Sequence, residues 1–257
     1  MNIDWDAIVK TYDVRGLVGK SLTTEIVAAL AAGFVDELGA AGKDVVVGHD
    51  MRDSSPEFAD AFAAGAQARG ANVISIGLCS TDESYFASGV LDAPAAMFTA
   101  SHNPAAYNGI KFSRAGARGI SMDTGLAAIR DRAKVYIENG IDEVATPGGY
   151  RDLHILVQYA SYLRELVDLS GIRPLKVVVD AANGMGGMTV PAVLGHASDL
   201  EACRWKLFRC TLSLTAHSQI TRPTRWTQKI WWTCKRQLLN TEPTLAWLSM
   251  AMPTAAS

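Results

Sequence analysis

The sequence predicts an α/β fold in which helices pack against a sheet of buried strands. Short apolar runs at 44–48, 72–77 and 94–98 are bounded by turn residues, as expected of strands inside a parallel sheet. Segments with apolar residues at helical spacing, at 23–38 and 57–70, alternate with these runs. This alternation indicates a layered α/β domain.

Composition sets limits on the class of protein. The 257 residues could form one large domain or two smaller ones, and 49% hydrophobic content is ample for a core. A net charge of −2 favours neither a nucleic acid nor a membrane as partner. There is no apolar run of about 18 residues that could span a bilayer. No CxxC pair occurs and no secretory leader precedes Asp4, so a reduced, cytoplasmic location is expected.

The first helix is predicted from its capping signals. Ser21 or Thr23 can cap its start, Glu25 lies near its positive end, and Gly39 ends it. The strand at 44–48 then runs into a polar loop, at the end of a strand where α/β sheets favour ligands.

Further elements follow the same alternation up to a linker. Helices are expected at 57–70, 81–90 and 124–139, and strands at 72–77, 94–98 and 110–112. The segment 145–149, rich in Pro and Gly, is the best linker candidate. We therefore predict a first domain over 1–145 and the beginning of a second over 146–202.

The second region opens with a helix at 155–169 and a strand at 176–180 that runs into a glycine-rich turn. That turn lacks both the Gly-x-Gly-x-x-Gly order and a Gly-Lys-Ser/Thr ending, so a nucleotide loop is disfavoured. We interpret the glycines as structural.

The chemistry is predicted at the end of the strand at 94–98. This strand leads into Thr-Ala-Ser-His-Asn-Pro at 99–104, where Pro104 forbids an immediate helix. Ser101 beside His102 is the nucleophile candidate, since a rigid strand that holds an exposed loop is a suitable mount. An Asn-Pro turn with solvated Ser and His side chains is the alternative. The residues alone leave both interpretations open.

This motif, followed by Tyr-Asn-Gly-x-Lys at 107–111, resembles the phosphoserine loop of the α-D-phosphohexomutases, the phosphomannomutase and phosphoglucomutase family. The resemblance covers roughly 12–202. It implies a three-layer α/β/α mutase-type domain followed by a partial second α/β domain. It also implies an enzyme that interconverts hexose 1-phosphate and 6-phosphate, of mannose or glucose, through a phosphoserine and a sugar bisphosphate.

The resemblance also assigns roles to individual residues. Ser101 would carry the phosphoryl group, and His102 and Lys111 would act as general acid/base or charge-stabilising groups. Arg52 would either assist substrate binding or pair with Asp50 or Asp53. The remaining substrate-binding candidates are Tyr12, Arg15 and Asn103.

Family members hold Mg²⁺ with the phosphoserine and three carboxylates of an Asp-Gly-Asp-x-Asp-Arg loop. That loop does not occur in this sequence, so only Ser101, as phosphoserine, remains as a metal ligand. We therefore expect this chain to be impaired as an enzyme. An inactive fragment that only binds anions or phosphosugars is the alternative. A serine hydrolase is disfavoured because no Gly-x-Ser-x-Gly elbow is present.

The last part of the chain breaks the pattern. Residues 1–202 carry 25 acidic and 16 basic side chains, whereas 203–257 carry one acid against eight Lys and Arg. All 22 glycines lie at or before Gly195, and five of the six tryptophans follow Ala202. Codons for 249–257, re-read one register over, can encode Asp-Gly-Asp-Ala-Asp-Arg. We therefore hypothesise a loss of reading frame near Ala202, which leaves an aberrant basic tail.

Overall fold

A computed structural model describes residues 3–167, 175–181, 184–196, 198, 205–211 and 245–249. The chain divides into two compact units, and the division falls between Ile155 and Leu156. The predicted linker at 145–149 precedes a short strand that still belongs to the first unit. The functional labels of the two domains stay predictions.

The first unit contains five α-helices and seven strands among its described residues. The helices are α1 (Trp5–Ile8), α2 (Thr24–Leu38), α3 (Ser55–Ala68), α4 (Thr81–Val90) and α5 (Leu126–Asn139). The strands are β1 (Val14–Leu17), β2 (Asp44–His49), β3 (Asn72–Leu78), β4 (Ala95–Phe98), β5 (Tyr107–Arg114), β6 (Arg118–Gly119) and β7 (Tyr150–Asp152).

These strands form one mixed sheet in the order β1-β5-β4-β2-β3-β7, with β6 paired to β5. Strands β4, β2, β3 and β7 run parallel; the apolar runs predicted the first three of these, and β7 was not predicted. Strand β5 is antiparallel to both β4 and β1. The candidate loop at 99–106 therefore joins two neighbouring strands.

The two ends of α2 follow the predicted capping signals. The Thr23 hydroxyl accepts a hydrogen bond from the Ile26 amide at 3.3 Å, and Gly39 ends α2 in a left-handed conformation with φ 59°. Ser80 and Glu83 form a reciprocal capping box at the start of α4. Helix α5 begins after a 3-10 turn at Met122–Thr124 because Gly125, with φ 136°, interrupts the helical backbone.

The core lies on both faces of the sheet. Alternate residues of a strand point to opposite faces. Val45 and Phe98 accordingly belong to one buried cluster, with residues of α2, α3 and α5. Val46 and Met97 belong to a second cluster, with Ala87 of α4. The α/β fold predicted from the sequence is confirmed, with helices on both sides of the sheet.

One strand departs from the prediction. Strand β5 begins at Tyr107 rather than at 110. The reason is that residues 107–110 pair with β1, whereas residues 110–113 pair with β4. The Tyr-Asn-Gly-x-Lys motif is therefore part of a central strand and not part of the loop.

The second unit contains α6 (Leu156–Leu166), α7 (Gly186–Leu194) and the strands β8 (Leu175–Asp180), β9 (Trp205–Thr211) and β10 (Leu245–Ser249). The strands form a parallel sheet in the order β10-β8-β9. The predicted helix at 155–169 and strand at 176–180 correspond to α6 and β8. Most of the basic tail, 212–244 and 250–257, and two residues of the glycine-rich turn lie outside the described residues. In the part of the chain that is described, no helix has the length and hydrophobicity of a membrane span.

Candidate functional site

The candidate site is built on the loop between β4 and β5. The Thr99 hydroxyl accepts a hydrogen bond from the Ser101 amide at 3.0 Å, and the Ala100 carbonyl accepts one from the Asn103 amide at 3.0 Å. Ser101 has φ 53°, a left-handed conformation that is uncommon for a residue with a Cβ. Such conformations recur where the surrounding structure holds a functional residue in place.

His102 is a titratable neighbour of the Ser101 hydroxyl. Its Nδ1 lies 3.4 Å from Ser101 Oγ, in an exposed part of the loop. The structure thus brings together the two residues predicted from Thr-Ala-Ser-His-Asn-Pro. An imidazole at this distance can take or return the hydroxyl proton as the pair closes.

Two cations lie beside the loop and share one carboxylate. Asp13 Oδ2 accepts from Arg15 Nε and Nη2 at 2.9 and 2.8 Å, and from Lys111 Nζ at 3.4 Å. Asp13 is only 6% exposed, so this acid is a fixed part of the site. Arg15 Nη1 also donates to Asn103 Oδ1 at 3.3 Å, which links the cations to the loop. Two cations against one acid leave a net positive charge.

These side chains line a cleft of about 660 Å³, a size typical of small-molecule sites. Four of the predicted site residues share the cleft: Tyr12, Arg15, Asn103 and Lys111. Tyr12 is 70% exposed at its rim. Ser101 and His102 lie in the same loop as Asn103 but outside the set that lines the cleft.

Arg52 lies beneath the loop, not in the cleft. Its side chain is buried and forms an ion pair with Asp50, with Nε 3.3 Å from Oδ2. Its terminal nitrogens donate to backbone carbonyls of the loop and of the first residue of β5. Burial lowers the pKa of Arg52, and the neighbouring Asp50 charge opposes this shift without reversing it. Of the two roles predicted for Arg52, the pairing with Asp50 is therefore observed.

A buried polar network that the sequence did not reveal supports the same loop. Asp50 Oδ1 accepts from the Arg52 amide at 3.0 Å and from the Ser55 hydroxyl at 2.7 Å. Asn108 Nδ2 donates to the hydroxyls of Ser54 and Ser55 at 2.8 and 2.9 Å. The sequence signal for this network is that Asp, Ser and Asn residues adjoin apolar runs. These residues can be recognised as one network only when the pairing of the strands is known.

Gly109 is required where β5 meets β1. A Cβ at this position would collide with the backbone oxygen of Val14 and lie 3.0 Å from that of Thr99. Glycine therefore permits the close pairing that places Arg15 opposite Gly109 and near the loop.

The described residues do not fit a magnesium site. Across the described part of the chain, no group of three or more His, Cys, Asp or Glu side chains could hold a metal ion. We therefore assign no step of the chemistry to a metal.

The first unit is an α/β/α domain, and the cleft beside its β4–β5 loop carries two cationic side chains, Arg15 and Lys111. Residues 6–140 match the family described as phosphoglucomutase/phosphomannomutase, alpha/beta/alpha domain I. The chain belongs to the phosphoglucomutase/phosphomannomutase family.

Individual relatives agree with this assignment. The chain is 40% identical over 188 residues to "Phosphohexose mutases" of Xanthomonas campestris, a match that covers 73% of this chain and 41% of the relative. It is 37% identical over 185 residues to a phosphomannomutase of Vibrio cholerae, covering 70% and 39% respectively. A phosphoglucomutase/phosphomannomutase family protein of Burkholderia thailandensis superposes with a TM-score of 0.76 at 28% identity, covering 94% of this chain and 51% of that structure. The chain thus spans about two fifths of the length of these curated relatives.

Proposed function

We propose that Ser101 is a phosphoryl carrier and that the chain takes part in phosphohexomutase chemistry. The observation that carries this proposal is the joint placement of the Ser101 hydroxyl, His102 and the Asp13-held pair of Arg15 and Lys111 around one loop. The names of the relatives and of the matching family support hexose phosphates, of mannose or glucose, as the substrate class.

The proposed step is the transfer of a phosphoryl group from a hexose bisphosphate to Ser101. Ser101 Oγ attacks phosphorus, the new O–P bond forms, and the bond from phosphorus to the sugar oxygen breaks. His102 takes the hydroxyl proton and releases it to water, and the leaving sugar oxygen takes up one proton from water, so that no net proton is gained or lost. Arg15 and Lys111 neutralise the phosphate oxygens while charge shifts between them.

The reverse transfer completes the reaction. Phosphoserine 101 gives its phosphoryl group to a hexose 1-phosphate or 6-phosphate. The resulting bisphosphate reorients in the site and returns its other phosphoryl group to Ser101. Family members use Mg²⁺ to neutralise charge at the phosphoserine. The described residues provide no such carboxylate set, so the proposal depends on side chains alone.

Full turnover by this chain is expected to be impaired. The Asp-Gly-Asp-x-Asp-Arg segment does not occur in the sequence, and that segment supplies the metal-binding carboxylates of the family. A robust mutase rate from the purified 257-residue chain would contradict this expectation. The cytoplasmic location inferred from cysteine usage stays a prediction.

A second candidate is a module that binds phosphosugars without transferring phosphate. The pairing of Arg15 and Lys111 through one buried acid favours it, since this arrangement binds anions whether or not Ser101 reacts. Binding of a hexose bisphosphate with no modification of the protein would select this candidate.

Intact-mass measurement after incubation with glucose 1,6-bisphosphate tests the proposal. We expect the chain to gain the mass of one phosphoryl group and Ser101→Ala to gain none. Ser121→Ala, which removes a half-buried hydroxyl that pairs with Thr124 at the start of a 3-10 turn, should gain the group as the unmodified chain does. The absence of any gain in a folded sample would overturn the proposal.

A further inference from the structure

We infer that Arg52 is a positioning residue that holds the backbone of the Ser101 loop in its reactive shape, a role beyond the two that the sequence left open, substrate binding and pairing with Asp50 or Asp53. The inference rests on the proposed role of Ser101 as phosphoryl carrier.

The geometry consists of one guanidinium and four carbonyl oxygens. Arg52 Nη2 donates to the carbonyls of Ser101 and Asn103 at 2.9 and 2.7 Å. Nη1 donates to those of Pro104 and Tyr107 at 2.9 and 3.0 Å. These contacts span the loop from the nucleophile to the first residue of β5. A single side chain therefore fixes both ends of the segment.

The contact at Ser101 bears directly on the hydroxyl. Ser101 has φ 53°, which is unfavourable for a residue with a Cβ unless other contacts hold it. The hydrogen bond from Arg52 to the Ser101 carbonyl is such a contact. The peptide bond between Ser101 and His102 is planar and trans. The hydrogen bond to the Ser101 carbonyl therefore fixes the orientation of this whole peptide plane, with the His102 N–H pointing away from Arg52 and the His102 Cα held in the plane.

Burial and the ion pair with Asp50 hold the Arg52 guanidinium in one position. Arg52 is 4% exposed and Asp50, its ion-pair partner, is also 4% exposed. Asp50 is held in turn by the Ser55 hydroxyl at 2.7 Å. An arginine with both terminal nitrogens bonded to backbone and so little exposed surface has no face for a sugar phosphate. The planar guanidinium has five N–H donors in fixed directions, which suits several acceptors at fixed positions. A Lys ammonium has only three donors, all on one nitrogen.

The test measures Ser101 phosphorylation by a hexose bisphosphate at several donor concentrations in Arg52→Lys. We expect the maximal rate to fall by about a hundredfold, because a displacement of about 1 Å in a reacting group has effects of this size. The half-saturating donor concentration should stay within about twofold, because the cleft cations remain. Millimolar guanidinium should restore part of the rate in Arg52→Ala, and the same concentration of uncharged urea should not.

Arg132→Lys is the matched control. Arg132 lies on α5, pairs with Glu37 at 3.4 Å and has a side chain that is 47% exposed, and it has no hydrogen bond to the loop among those described, so both constants should stay unchanged. If Arg52→Lys does not fold, Asp50→Asn takes its place. That variant keeps the guanidinium but weakens its anchor, so the rate should again fall with the half-saturating concentration preserved.

Each outcome decides the inference. A higher half-saturating concentration at an unchanged maximal rate would make Arg52 a substrate contact, and two unchanged constants would remove any role in positioning. Amide hydrogen exchange separates this inference from the proposed function. Faster amide exchange in Arg52→Lys, confined to residues 99–109, would support the positioning role of Arg52 even if the unmodified chain accepts no phosphate. Unchanged exchange at these residues would overturn that role.

Discussion

At the scale of single residues, Asp13 fixes the positions of the two cations that we propose bind the phosphate groups. The acid is buried, so Arg15 and Lys111 are held at fixed positions and not as mobile surface charges. Fixed donors lose less conformational freedom when they bind a ligand. The sequence shows Tyr-Asp-Val-Arg-Gly, but it does not show that Lys111, on another strand, shares the same acid.

Arg15→Gln should weaken the binding of a hexose bisphosphate by roughly 10- to 100-fold. A hydrogen bond to a charged group contributes about 1.5–3 kcal/mol, and each 1.4 kcal/mol is a factor of ten. Isothermal titration calorimetry measures the change. Arg118→Gln, at an exposed position on β6, should bind as the unmodified chain does. Equal weakening in both variants would mean that only overall charge matters.

Glu83 should make stability depend on pH. Burial raises the pKa of this carboxyl from 4.5 to about 7, while a hydrogen bond from the Ser80 backbone opposes the shift. The folded state therefore holds the proton more tightly than the unfolded state. The free energy of unfolding should fall as pH rises from about 4.5 to 7, by up to about 3 kcal/mol, and then level off.

Glu83→Gln removes this titration and keeps a capping residue at the same helical position. Urea unfolding at about pH 5 and pH 8 should show the variant gaining stability relative to the unmodified chain at the higher pH. Glu57→Gln, exposed in the first turn of α3, is the control and should show no such gain. A constant difference between Glu83→Gln and the unmodified chain at both pH values would contradict the assignment.

At the scale of secondary-structure elements, the β1–β5 pair carries the site. Arg15 lies on β1 and Lys111 on β5, and the loop with Ser101 leads directly into β5. The two strands run antiparallel and meet without a side chain at Gly109. Any change that separates them should displace the cations from the loop.

Gly109→Ala should lower the free energy of unfolding by at least about 1–3 kcal/mol, the range for overpacking a well-packed core. The physical reason is that the added Cβ collides with the Val14 carbonyl, which belongs to backbone and cannot rotate away. Denaturant unfolding measures the loss. Gly119→Ala, where an added Cβ meets open space, should change stability little. Equal stability of Gly109→Ala and the unmodified chain would show that β1 can move freely.

The elements themselves were largely predictable from sequence, because apolar periodicity and capping residues act locally. Helix α2, with Thr23 and Gly39 at its ends, and the strand before Ser101 follow from such signals. The start of β5 at Tyr107 did not follow, since its pairing with β1 joins residues about ninety positions apart. The hydrogen bonds of Arg52 could not be predicted for the same reason, because its partners between Ser101 and Tyr107 become its neighbours only in the folded sheet.

At the scale of the whole molecule, this chain spans about two fifths of its curated relatives. The change in composition after Ala202 is a further difference from the first unit, and the reading-frame hypothesis stays a prediction. Sequencing of the encoding DNA from the Ala202 codon onward would contradict it if the bases for 249–257 could not encode Asp-Gly-Asp-Ala-Asp-Arg in the other register.

We expect the two halves of the reaction to separate in this chain. Ser101 should accept a phosphoryl group, since its loop, His102 and the cleft cations are all in the first unit. Conversion of hexose 1-phosphate to 6-phosphate should be slow or absent, because the metal-binding segment of the family does not occur in the sequence. A coupled assay of sugar isomerisation beside the intact mass measures both halves, and a rapid isomerisation would contradict the separation.

The most direct measurement of the central claim is the fate of the phosphoryl group once it is on Ser101. The phosphorylated chain is freed of donor and mixed with a hexose monophosphate, and phosphorus NMR follows the signals. A true carrier returns its group, so the phosphoserine signal should disappear as a sugar bisphosphate appears. A phosphoserine that persists in the folded protein with saturating sugar phosphate would contradict the assignment.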